Sequence, residues 1–205
     1  MNDDVFRVAL TFDAEHPDRP RCPPDAPDRI LDSLRAAAVR ATFFVQGRWA
    51  EAYPERARRI ADDGHLVGHH SKYHARMPLL HDEGFREDVR EGAEHITAAS
   101  GVDPRPWFRC PFGAGADDPR VLGLLAELGY RNVGYHVVLE DWEPWRTGPQ
   151  IVEDAVAGAR ARGDGAVILL HTWPGPTADA VRGIVDGLGV VGASFVGVDE
   201  LETVP

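Results

Sequence analysis

Val8-Ala9-Leu10-Thr11-Phe12-Asp13-Ala14-Glu15-His16 is the stretch from which the fold reads outward. Its first five residues form a short, apolar, β-rich run, the pattern of a buried strand. The run then ends in acids and an imidazole. Residues two apart in a strand share a face, so Asp13 and Glu15 are expected to project together from its C-terminal end.

The same sequence pattern recurs along the chain. Thr42-Phe43-Phe44-Val45 is a second strand, and His65-Leu66-Val67-Gly68 a short third. Pro106-Trp107-Phe108 leads to a strand end at Arg109, followed by a glycine-rich loop. A strand over 132–139 ends at Glu140-Asp141-Trp142, and the most apolar run, Ala166 to Leu170, ends at His171. A last strand falls near Ser194 to Val198.

Helices separate these strands. Asp28 is placed to cap one whose inner stripe is Ile30, Leu31 and Leu34. Pro54 to Asp63 is stopped by Gly64, and the Phe85, Val89, Ile96 stripe is closed by Gly101. Asp118-Pro119 reads as N-cap and N1 of a helix through Leu128. Ala155 and Ala159, with Val152 and Val156, line the next helix; Val181, Ile184, Val185 and Leu188 line the last. Alternating strand and helix implies parallel strands joined by right-handed crossovers. With about seven strands, the expectation is one α/β domain over residues 1–205, built as a parallel (β/α) barrel, complete or not.

Composition narrows the function classes. A chain of 205 residues with 43% hydrophobic content can bury a full core without staples. Its two cysteines, Cys22 and Cys110, form no disulfide framework and no CxxC. A net charge of -11 argues against gripping a nucleic-acid backbone. No apolar run is long enough to span a bilayer, and Met1 to Arg7 lacks the basic and apolar regions of a signal peptide, so the chain reads as cytoplasmic. Oligomeric state leaves no mark in the sequence.

Polar residues collect at the strand ends. Asp13, Glu15, His70, Arg109, Asp141 and His171 each follow one, and parallel barrels build their active sites on that face. Within Gly68-His69-His70-Ser71-Lys72-Tyr73-His74, two imidazoles stand four residues apart. On a helical turn that spacing puts both on one face, where they can share a metal ion. The bland alternative is a histidine-rich surface loop. The proline-dense loop from Pro17 to Pro27 is long enough to be functional or to cover a site.

Taken in order, these segments resemble the motifs of the polysaccharide deacetylases, the NodB-homology family, from Leu10 to about Trp173. Thr11-Phe12-Asp13 is similar to the first motif, and His70-Ser71-x-x-His74 to the metal motif. Arg109-Cys110-Pro111-Phe112, Asp141-Trp142 and Leu169-Leu170-His171 are similar to the remaining three. The resemblance implies a distorted (β/α) barrel. It also implies a divalent metal, usually zinc or cobalt, used to remove N- or O-acetyl groups from a sugar or oligosaccharide. In that scheme His70 and His74 bind metal, Asp13 is the base, Arg109 orients Asp13, and His171 is the acid oriented by Asp141. The Phe112 N–H serves the oxyanion, and Trp142, with Trp107 or Trp173, walls a sugar groove.

The chain departs from the family in one telling place. Where most members carry a second, metal-binding aspartate, this one has Ala14. Glu15 is the substitute ligand that the resemblance implies, with His16 the weaker candidate. Val138 likewise stands where the longer fourth motif has an aspartate. Plainer readings remain open at this point. Asp13 could be a helix cap, Arg109 and Asp141 a structural ion pair, His171 a satisfied core histidine and Trp142 a core residue. Cys110 reads as a small buried hydrophobe. A Cys-His hydrolase using Cys110 and His171 leaves the histidine pair unexplained. A cyclic amide or ureide hydrolase on the same scaffold, or a degenerate carbohydrate binder, are the competing functions.

Overall fold

Fifteen helices and strands follow one another in a computed structural model that describes residues 6–16 and 22–202. In order they are β1 (Phe6–Ala14), α1 (Ala26–Ala36), β2 (Thr42–Val45), α2 (Gly47–Ala52), α3 (Pro54–Asp62), β3 (Leu66–His69) and α4 (Asp82–Ser100). Then come β4 (Trp107–Phe108), α5 (Pro119–Glu127), β5 (Arg131–Asn132), β6 (Val137–Val138), α6 (Gly148–Arg162), β7 (Ala166–His171), α7 (Gly175–Val190) and β8 (Ala193–Phe195). Residues 17–21 of the proline-rich loop lie outside the described residues, as do residues 1–5 and 203–205. No helix among the described residues is long and apolar enough to cross a membrane.

The chain forms two compact units, and β1 contributes to both, its last two residues belonging to the second. In the first, β7 lies between β1 and β6, and β8 pairs in parallel with the start of β1, Phe6 opposite Ala193. All six residues of β7 are buried, and the Thr11 hydroxyl donates to the Ile168 carbonyl at 2.6 Å. Helices α6 and α7 pack closely because α7 offers glycines to the α6 valines. A Cβ on Gly183 or Gly187 would come within 2.8 Å of a methyl of Val152 or Val156. Helix α6 starts in a capping box between Thr147 and Gln150.

In the second unit the strands run in the order β5, β4, β3, β2, and β4 is parallel to both β3 and β5. Below them Met77, Phe85, Val89, Phe108, Val121 and Leu125 form a buried cluster. Helix α4 ends where expected, at Gly101 with φ 79°, a left-handed cap. The cap on α5 is also as read: the Asp118 side chain accepts from the Arg120 N–H.

Several expectations are corrected. The strand read over 132–139 is two short strands, because the carbonyls of Val133 and Gly134 accept from the Arg109 side chain instead of continuing a ladder. Asp28 sits inside the first turn of α1, whose N-cap is Asp25. Trp107 is only 6% exposed and its ring lies under the Arg131 guanidinium, so it walls no groove. Most consequential, residues 70–76 are not helical: Ser71 and His74 adopt left-handed φ of 59° and 57°.

Candidate metal centre

The loop histidines meet the strand-end acids without a helix. Strand β1 delivers Asp13, and Glu15 follows one residue past its end; β3 ends at His69, and the loop beyond it carries His70 and His74. The Nε2 atom of His74 lies 2.5 Å from Glu15 Oε2, and that of His70 lies 3.2 Å from the same oxygen. Asp13 Oδ2 is 3.5 Å from His70 Nε2. One ligand atom each from Glu15, His70 and His74 fall within 4.8 Å of one another, the only such trio of His, Cys, Asp or Glu among the described residues. Two imidazoles and a carboxylate suit a divalent transition metal.

Hydrogen bonding settles the tautomer of His70. Its Nδ1 is 2.9 Å from the Arg109 backbone carbonyl, which can only accept. Nδ1 therefore carries a proton, and Nε2 is the ring atom turned to the carboxylates and the one placed to bind a metal, the arrangement found behind metal-binding histidines. Burial works against a charged His70, but Asp13 and Glu15 outweigh it and shift the imidazole upward. Burial dominates at His74 and shifts it downward despite the Glu15 bond. The two rings lie 5.0 Å apart, with Phe112 packed against His74 at 4.3 Å.

Ala14 is buried with no exposed surface, and its carbonyl accepts from the Gln46 N–H at 2.9 Å. Gln46 then turns its side-chain oxygen to the His16 N–H, holding His16 at φ 54°. His16 reaches the second Glu15 oxygen at 3.0 Å but is not part of the trio. Of the two candidates Glu15 and His16, Glu15 is the one that joins His70 and His74 in the trio.

Arg109 is 1% exposed and holds Asp13. It donates to Asp13 Oδ1 at 2.9 Å, to the Val133 carbonyl at 3.1 Å and to the Gly134 carbonyl at 2.9 Å, over the face of Phe44. Asp13 is its carboxylate partner within the second unit.

Asp141 instead belongs to His171. In the first unit its carboxylate accepts from the His171 backbone N–H at 2.8 Å, from the His171 ring at 2.7 Å and from the Thr177 hydroxyl at 2.6 Å. The ring bond fixes a His171 proton on Nδ1. The Trp142 and Trp173 rings lie 5.2 and 5.8 Å from His171, and Trp142 is half-buried with its N–H on Glu143. Cys110 is buried, which pushes its thiol up to about 12 and removes it as a nucleophile.

Motif reading missed His69, Asp88 and Thr177. His69 is fully buried; its Nε2–H donates to the Val89 carbonyl and its Nδ1 accepts from the Ser71 N–H, both at 2.9 Å. Burial takes its pKa down to about 3, so it stays neutral.

Comparison with known proteins agrees with this geometry. Residues 2–133 match the family model described as polysaccharide deacetylase. The chain belongs to the polysaccharide deacetylase family. A chitooligosaccharide deacetylase of Rhizobium leguminosarum bv. trifolii is 34% identical over 82% of this chain and 72% of its own length. The structure of the peptidoglycan deacetylase PdaC from Bacillus subtilis superposes with a TM-score of 0.83 at 30% identity, covering 98% of this chain and 92% of that one. A mutant of a Bacillus anthracis CE4-family pseudoenzyme, with restored enzymatic activity, superposes with a TM-score of 0.83 at 26% identity, covering 97% and 68%. The fold is thus the distorted parallel α/β barrel expected of a polysaccharide deacetylase, and it serves active and inactive members alike. The chain spans 64%, 66% and 65% of the length of three further curated relatives.

Proposed function

We propose that this polysaccharide deacetylase is a metal-dependent hydrolase that removes N- or O-acetyl groups from a sugar or oligosaccharide. The observation that carries the reading is the Glu15, His70 and His74 donor set beside an Asp13 carboxylate already aimed by Arg109. The residues fit a divalent cation, which we assign as zinc, with cobalt the alternative. Bound there, it polarises the acetyl carbonyl and lowers the pKa of a water.

The chain's own residues do the rest. Asp13 takes the proton of the attacking water as general base. Arg109 donates to Asp13 and fixes its direction. The Phe112 N–H donates to the developing oxyanion. His171, oriented by Asp141, hands a proton to the leaving amine or alkoxide. Trp142 offers a face on which a sugar ring stacks.

Intact acid–base machinery favours this over a degenerate carbohydrate binder, since binding alone needs neither a buried Arg109–Asp13 pair nor a three-bonded Asp141. The test is acetate release from N-acetylglucosamine oligomers, with and without chelator. Acetate formed only with metal supports the proposal. Ammonia release or ring opening from cyclic ureides, without acetate, points instead to the amide-hydrolase alternative. Sugar binding with no hydrolysis points to a degenerate member.

A further inference from the structure

Residues 70–75 are neither helix nor strand, so their backbone groups find partners one by one. The His70 N–H donates to the Val45 carbonyl at 2.9 Å, and the Ser71 N–H to His69 Nδ1. The Ala75 N–H donates to the Ser71 hydroxyl at 3.3 Å. The Ser71 and Lys72 carbonyls accept from Gly47 and Arg48 at the start of α2. At the middle of the loop one side chain takes two amides. Asp88 Oδ1 accepts from the Lys72 N–H at 3.0 Å, and Oδ2 from the Tyr73 N–H at 3.2 Å.

Asp88 lies on α4 and is only 6% exposed. Burial raises its pKa, against the loop N–H bonds that favour the carboxylate. A buried carboxylate is costly unless its hydrogen bonds are made, and this one makes them to the loop. The loop also needs an external hold. Ser71 and His74 are left-handed without being glycine, a conformation kept only where the surroundings dictate it. The next residue on the helix, Val89, holds the other end through His69.

We infer that Asp88 is the positioning residue of the cation site: by gripping the Lys72 and Tyr73 amides it fixes the turn that brings the His70 and His74 imidazoles to Glu15. This rests on the cation site proposed above and extends it to a helix outside the donor set.

Asp88→Asn keeps the shape and one acceptor oxygen, but sets an NH₂ group against a donor N–H. Its affinity for Zn²⁺, measured on folded protein by competition with a chromophoric chelator, should fall about 10- to 100-fold. Glu87→Gln, at the neighbouring exposed position of α4, should bind Zn²⁺ as the wild type does. Wild-type affinity in folded Asp88→Asn overturns the inference, as does an equal loss in Glu87→Gln. Amide hydrogen exchange on chelator-treated wild type tests the same clamp without a variant. Protected Lys72 and Tyr73 amides are expected, and exchange at free-loop rates refutes the clamp. If the wild type itself binds no Zn²⁺, the cation reading fails, while the exchange result still decides the role of Asp88.

Discussion

Arg109→Met removes a guanidinium that is nearly without solvent and donates to Asp13, Val133 and Gly134. At 2.9 Å from Asp13, with an effective dielectric constant of about 20, the gross attraction is about 6 kcal/mol before desolvation is counted. The net worth of the pair is smaller, but removing one partner leaves Asp13 buried without its guanidinium, which costs about 3–5 kcal/mol. The Val133 and Gly134 carbonyls lose their donor as well, at about 1–3 kcal/mol each where water cannot replace it. These losses overlap, so we expect a net destabilisation of about 4–6 kcal/mol, a large share of the 5–15 kcal/mol typical of a folded domain. Urea unfolding in the presence of chelator measures it without interference from metal. Asp13→Asn and the double variant complete a cycle, and a coupling of about 2 kcal/mol is expected. Single and double variants that add within 0.5 kcal/mol would refute the idea that Arg109 and Asp13 act as a buried unit.

Other substitutions separate the roles at the site. His70→Ala or His74→Ala should abolish metal retention in elemental analysis, and stoichiometric metal in either would remove that residue from the ligand set. Glu15→Ala should weaken metal binding, whereas Asp13→Asn should keep the metal and lose turnover by about 10²-fold or more; a swap of these outcomes exchanges the two assignments. Asp141→Asn should lower the rate by about 10²-fold or more, with metal content unchanged, because His171 loses the group that orients it. Gly92→Ala places a Cβ 2.7 Å from the His69 ring and 3.1 Å from the Lys72 nitrogen. The overpacking, about 1–3 kcal/mol, should exceed the gain of about 1 kcal/mol from helix propensity, and a raised melting temperature would show that the helix relaxes away.

Much of this was readable before any coordinates. The strands ending at Val45 and at His171 fall where hydrophobic periodicity puts them, because a continuous apolar run bounded by polar residues has few other uses. The two-residue period of β1 also correctly put Asp13 and Glu15 near one another. Periodicity failed where side chains replaced backbone pairing. The break between β5 and β6 follows from the reach of Arg109 across the fold, which no local pattern records. The histidine loop was read as a helical turn because i, i+4 spacing is the usual way to align two rings, whereas here tertiary hydrogen bonds impose left-handed residues instead. Asp88 was hidden for a related reason: an acid on a helix reads as a solvated face, and only the fold reveals that it turns inward. Helix α2 is short and carries little periodicity of its own, so it gave no separate signal.

The left-handed conformation of His74 bears on anyone wishing to transplant this ion-gripping motif. Copying the two histidines at the same spacing onto a straight helix would reproduce the letters but aim the second ring elsewhere. A working graft would have to import the bent backbone between the rings, together with acceptors for its inward-facing amides. For this chain the portable unit is therefore a shaped loop and its scaffold, and a search for similar sites by short pattern alone would also return helices that align the two rings by a different backbone.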